Sequence, residues 1–121
     1  SNWLEIKMIV KSDLGNWETI DPALLTREFE SLIDWFDKLS KNEKVENELM
    51  DFIEPNIAFE LLNNDNQVKR IRISFDLESR PKNANDEIDY FIDCDLDLID
   101  LKRIFYNLKS ELNRFPTRGL S

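Results

Sequence analysis

The 121-residue sequence predicts an α+β fold. The expected architecture is a single two-layer domain over 1–121, with an antiparallel β-sheet of about five or six strands and two amphipathic helices packed on one face. Three observations lead there. Several segments alternate apolar and polar residues with period two, and tight turn signals separate them. Two other segments carry an apolar stripe of helical period. The composition, 41% hydrophobic with 8 Phe and 3 Trp, suffices for one packed core.

The first strand is "NWLEIKMIVK", with Leu4, Ile6, Met8 and Val10 on one face and Trp3, Glu5, Lys7, Ile9 and Lys11 on the other. "SDLGN" follows, where Gly15 can take the positive-φ place of a hairpin loop. A short second strand, "NWETI", reaches Asp21-Pro22. The period then changes: Leu25, Phe29, Leu32, Ile33, Phe36 and Leu39 form a helical stripe, with Thr26 as N-cap or Asp21 before Pro22 as a rival start. "SKNEKVENE" ends this helix in a solvated loop.

Sheet periodicity resumes at "ELMDFIEPNIAFELL", with a break expected at Pro55, which cannot donate to a ladder. "NNDN" at 63–66 is a turn cluster. In "VKRIRISFDLE", Ile71, Ile73, Phe75 and Leu77 point inward and Arg70, Arg72, Ser74, Asp76 and Glu78 outward. After the loop "SRPKNANDE", the strand "IDYFIDCDL" places Tyr90, Ile92, Cys94 and Leu96 on the inner side. The last helix presents Leu98, Leu101, Ile104, Phe105, Leu108 and Leu112, with Pro116 beyond its end.

Composition excludes much chemistry. Without histidine there is no His-based triad, His metal ligand or neutral-pH proton shuttle. Two glycines build no phosphate-cradling loop, and a lone cysteine, Cys94, builds neither an intrachain disulfide nor a thiolate zinc site. Neither a secretory signal nor an apolar run of membrane-spanning length stands in the sequence, so the expected location is the cytoplasm. A formal charge of −9 disfavours nucleic acid and anionic membranes as partners and favours a basic protein. The same acidity also serves plain solubility.

The stretch "YFIDCDLDLIDL" sets Asp93, Asp95, Asp97 and Asp100 close together. A calcium loop starting at Asp93 would need Gly and Glu where Leu98 and Ile104 stand, so the metal reading fails. Asp97 instead falls at the N-cap of the last helix, with Asp100 in its first turn. Asp93 and Asp95 lie on the outward sheet face with Glu60, Asp76, Glu78, Asp89 and Phe91. That face reads either as a solvated sheet surface or as a docking surface for a basic protein, with Phe91 and Trp3 as anchors. Arg70 and Arg72 share it and can pair with its carboxylates. A carboxylate-dependent hydrolase is the alternative from another class, since Asp76 and Glu78 are i, i+2 strand neighbours, but most acidic strands would meet that criterion. Cys94, Trp17 and Trp35 read as packing residues.

In order and spacing, "NWLEIKMIV", "WETIDPALLTREFESLIDWFDKL", "FIEPNIAFEL", "ISFDLESRP" and "IDCDLDLIDLKRIFYNLKSELNRFP" resemble the wall-associated-protein immunity family, WapI, from about Asn2 to Pro116. The most specific parts are "DPALLT", "EPNIAFEL" and "LESRP". The resemblance implies a non-enzymatic cytoplasmic immunity protein, without cofactor or metal, that binds and neutralises the toxic nuclease domain of a contact-dependent toxin. An uncharacterised interaction domain with no toxin partner is the remaining alternative. Family sequences carry an extra segment before "NWL", which implies a further first strand, and a tryptophan in the loop where this chain has "KNAN".

Overall fold

The structure is a computed structural model and describes residues 3–12, 15–52, 57–76, 80 and 84–114, with the side chains of 25–52, 57–76, 80 and 84–112. The element order is β1 (Trp3–Ser12), β2 (Gly15–Leu25), α1 (Thr26–Ser40), β3 (Leu49–Met50), β4 (Ile57–Asn64), β5 (Val68–Phe75), β6 (Tyr90–Asp97) and α2 (Leu98–Arg114). The α+β class is as expected, and the strands divide into two sheets. β1 and β2 form an antiparallel hairpin, while β3-β4-β5-β6 form a four-stranded sheet in that order. β2 runs past Asp21-Pro22 to Leu25 because the ladder shifts register opposite the segment between Leu4 and Ile6. Such an irregularity accommodates a residue without an N–H donor.

α1 starts one residue away from the expected cap. Leu25 is the N-cap and Thr26 the first helical residue, with its side chain buried. The Glu28 carboxylate accepts the Leu25 N–H at 2.9 Å, which satisfies a backbone donor at the helix start and places negative charge at the positive end of the dipole. The other end closes through Asn42. Its φ of 58° is left-handed, a region that asparagine tolerates better than most residues. Glu43 N–H donates to Lys38 O at 2.9 Å and Asn42 N–H to Leu39 O at 3.2 Å, the paired bonds of a Schellman stop.

The core lies between the helices and the inner face of the four-stranded sheet. Phe29, Leu32, Ile33, Phe36 and Leu39 of α1 meet Ile57, Leu61, Ile71 and Phe75 of the sheet and Leu101 of α2. Trp35 and Phe36 stack edge-on at 5.2 Å, and Phe59 joins both rings. The alternation read in β5 and β6 holds, with Ile71 and Phe75 buried and Tyr90, Ile92, Cys94 and Leu96 half-buried on the inner side. The "NNDN" turn falls slightly later than read. β4 continues to Asn64, and the turn is built on Asp65, whose carboxylate accepts the Gln67 N–H at 3.1 Å. Leu77, Glu78, Pro55 and Pro116 lie outside the described residues.

Lys69 follows the alternation of β5 onto the inner side, against what its charge alone suggests. It sits on the inner side with Ile71 and is only 2% exposed. Its ammonium donates to Asn42 Oδ1 at 2.7 Å and to Asp65 O at 2.6 Å, so it ties the end of α1 to the β4–β5 turn. Burial pushes its pKa down, and the nearby Asp65 charge opposes that shift.

Candidate functional site

The outward face of the sheet is set by register. β5 pairs with β6 so that Arg70 stands opposite Asp95, Arg72 opposite Asp93 and Ser74 opposite Phe91. On the other side, Glu60 of β4 stands opposite Arg72 and Leu49 of β3 opposite Glu60. These rows bring together four of the predicted residues: Glu60, Phe91, Asp93 and Asp95. Asp76 and Asp89, both exposed, flank the Phe75–Tyr90 pair at the sheet end. Glu78 lies outside the described residues, as does the side chain of Trp3.

Each arginine holds its partner by two bonds. Arg70 Nε and Nη2 donate to Asp95 Oδ1 and Oδ2 at 2.8 and 2.9 Å. Arg72 does the same to Asp93 at 2.8 and 3.0 Å, and its guanidinium lies 4.0 Å from the Phe91 ring centre. Hydrogen bonding from Arg72 and Arg70 keeps Asp93 and Asp95 below the usual carboxylate range. Arg80 answers Asp86 at 2.7 Å, with the Asp76 charge nearby. The two central aspartates are therefore committed ions, suited to rigid pairing rather than to proton donation. Cys94 between them faces inward, and burial together with the Asp93 and Asp95 charges pushes its thiol up, away from the thiolate a nucleophile needs.

Asp97 and Asp100 serve the fold. Asp97 Oδ1 accepts the Asp100 N–H at 2.7 Å, and Asp100 Oδ2 accepts the Asp97 N–H at 3.2 Å. This reciprocal cap at the start of α2 stabilises by about 1 kcal/mol in typical helices. Among the described residues no three His, Cys, Asp or Glu side chains converge so that they could hold a metal ion.

What remains on the sheet face is a nearly balanced set of charges with apolar residues between them. Phe91 is 38% exposed and Leu49 47%, and Leu62 and Val68 are exposed as well. Leu62 follows inward Leu61 and so points to the outer face, where the β4–β5 ladder also shifts register. Three carboxylates, Glu60, Asp93 and Asp95, meet two guanidiniums here, so most of the field cancels.

A second acidic surface lies elsewhere among the described residues. A groove of about 500 Å³ runs between α1 and the segment 45–52. Glu28, Glu30, Asp34, Glu46 and Asp51 line it against one cation, Lys38. Sequence reading passed over this group because its members come from a helix face and an aperiodic loop. Its signal was there: Glu30, Asp34 and Lys38 recur every four residues, opposite the apolar stripe of α1.

No helix among the described residues is long and apolar enough to cross a membrane. No curated protein and no solved structure gives a significant match to the chain. The sequence pattern that defines the Immunity protein WapI-like family, in contrast, matches residues 1–116. That span runs from the hairpin through both helices, so the chain belongs to the Immunity protein WapI-like family.

Proposed function

We propose that the chain is a cytoplasmic, non-enzymatic immunity protein that binds and neutralises a basic, nuclease-type domain of a contact-dependent toxin. The observation that carries this reading is membership of the immunity family over 1–116. The charge of −9 supports it, because an enzyme that cleaves nucleic acid presents a basic surface to its polyanionic substrate. The proposed contact residues are Glu60, Asp76, Asp89, Phe91, Asp93 and Asp95, on the outer sheet face and its end, together with Glu78. Phe91 is their anchor. The ring is exposed, yet Arg72 lies over it and Asp93 fixes Arg72, so little side-chain freedom is lost when a partner covers it.

Co-expression with a candidate toxin domain taken from a neighbouring gene tests the proposal. Cells carrying the wild-type chain survive, and Phe91→Ala raises the Kd of the complex by about 5- to 30-fold, or about 1–2 kcal/mol. Continued killing in the presence of folded, soluble wild-type chain overturns the reading.

A further inference from the structure

The groove between α1 and segment 45–52 combines a fixed apolar floor with a negative charge that the sheet face lacks. Its negative charge is largely unanswered. Asp34 pairs with Lys38 at 3.2 Å and Glu28 accepts the Leu25 N–H, whereas Glu30, Glu46 and Asp51 make no ion pair or hydrogen bond among the described residues. Glu30, Glu46 and Asp51 therefore leave three negative charges on the rim without an ion-pair partner among the described residues.

Its floor, in contrast, is apolar and fixed. Trp35, Val45 and Phe52 are buried side chains with an edge on the groove, and Leu49 and Met50 of β3 close one side. Trp35 Nε1 donates to Asn47 O at 2.8 Å, which pins the loop to the helix, and Phe52 stacks edge-on against Phe59 at 6.4 Å. Because these bonds hold the loop in place, the groove needs little rearrangement to receive a ligand.

An apolar floor beneath a carboxylate rim matches one kind of side chain. Lysine and arginine carry three or four methylenes below a cationic head, so the stem can lie on Leu49, Met50 and Phe52 while the head reaches Glu30, Glu46 or Asp51. A wholly apolar segment would leave the carboxylates desolvated and unpaired, and a nucleic acid would be repelled.

We infer that this groove docks a lysine- or arginine-bearing segment of the protein partner; the inference rests on the toxin-binding reading and gives it a second contact. Leu49 belongs to both surfaces, since it pairs with Glu60 on the sheet face and lines the groove. The two contacts are therefore continuous around the β3 edge. The sheet face supplies a rigid, nearly neutral platform, and the groove supplies the field that draws a cation in.

The probe is a deca-lysine peptide titrated into the full ¹⁵N-labelled chain at low salt. The amides of Glu30, Asp34, Glu46, Leu49 and Asp51 and the Trp35 indole N–H shift on binding, and the affinity falls as salt rises. The triple variant E30Q/E46Q/D51N weakens binding by about tenfold or more, while E87Q, which neutralises an exposed carboxylate outside both surfaces, leaves it within about twofold. Shifts that map to another surface, or binding unchanged in the triple variant, overturn the inference, as does an absence of binding. These outcomes are independent of toxin rescue. A wild-type chain that protects cells while deca-lysine binds outside the groove removes the groove alone; a chain that fails to protect removes the immunity reading.

Discussion

Leu101→Ala lowers the unfolding free energy by about 2–5 kcal/mol, read as a shift in the urea midpoint at constant slope. Leu101 is 0% exposed and belongs to the first turn of α2, where it meets the α1 and sheet residues of the core. Most other apolar residues of α2, including Ile104, Phe105 and Leu108, are only half-buried, so this helix depends on few fully enclosed contacts. Truncation removes a buried side chain and leaves a cavity that a helix tied at its start by the Asp97–Asp100 cap cannot readily close. Ile99, two residues earlier, is 70% exposed. Ile99→Ala therefore stays within about 0.5 kcal/mol. Equal losses at both positions would show that α2 does not pack as described.

Asn42→Ala costs about 1–3 kcal/mol, whereas Lys69→Met costs less than about 1 kcal/mol. The asymmetry follows from what each substitution leaves behind. Alanine at 42 must hold a φ of 58° with no side chain to compensate, and it strips one acceptor from an enclosed ammonium. Methionine at 69 keeps the buried stem and releases Asn42 and Asp65, both exposed, to water. Calorimetry of the single and double variants checks this: in the Lys69→Met background, Asn42→Gly should restore stability, since glycine takes the left-handed position without strain.

The pH dependence has a definite sign. Burial lowers the folded pKa of Lys69 below its ordinary 10.5, so above the folded value the unfolded chain binds the proton more tightly. The wild type consequently gains stability relative to Lys69→Met as pH rises through the interval between the folded value and 10.5. A difference that shrinks with rising pH would contradict the burial of this ammonium.

Much of the fold was legible in the sequence because it rests on period. The stripe from Phe29 to Leu39 and the alternation from Ile71 to Phe75 each name a buried face directly. Asp97 was legible as a cap because capping is a local matter of spacing. Pairing is not local, and there the sequence was less informative. Period two shows which face a residue takes but not which strand stands beside it, so the separation of the β1–β2 hairpin from the four-stranded sheet could not be read. For the same reason Asp93 and Asp95 appeared as acidic surface. Only the β5–β6 register brings them opposite Arg72 and Arg70, which neutralise them. Lys69 misleads in another way: its charge suggests solvent, but its length lets the inner-face stem carry the ammonium to the end of α1. The groove needed both kinds of missing information, since Glu30 and Asp51 meet only once α1 and β3 are placed.

An immunity protein steered by charge has a kinetic signature. The association rate of the purified chain with the toxin domain it is proposed to neutralise should be followed by stopped flow as ionic strength rises from about 0.02 M to about 0.5 M. The predicted result is a stable complex whose association approaches about 10⁸ M⁻¹s⁻¹ at low salt and falls at least about tenfold across the series, while dissociation changes little. No complex, or association near 10⁵–10⁶ M⁻¹s⁻¹ that ignores salt, would contradict it.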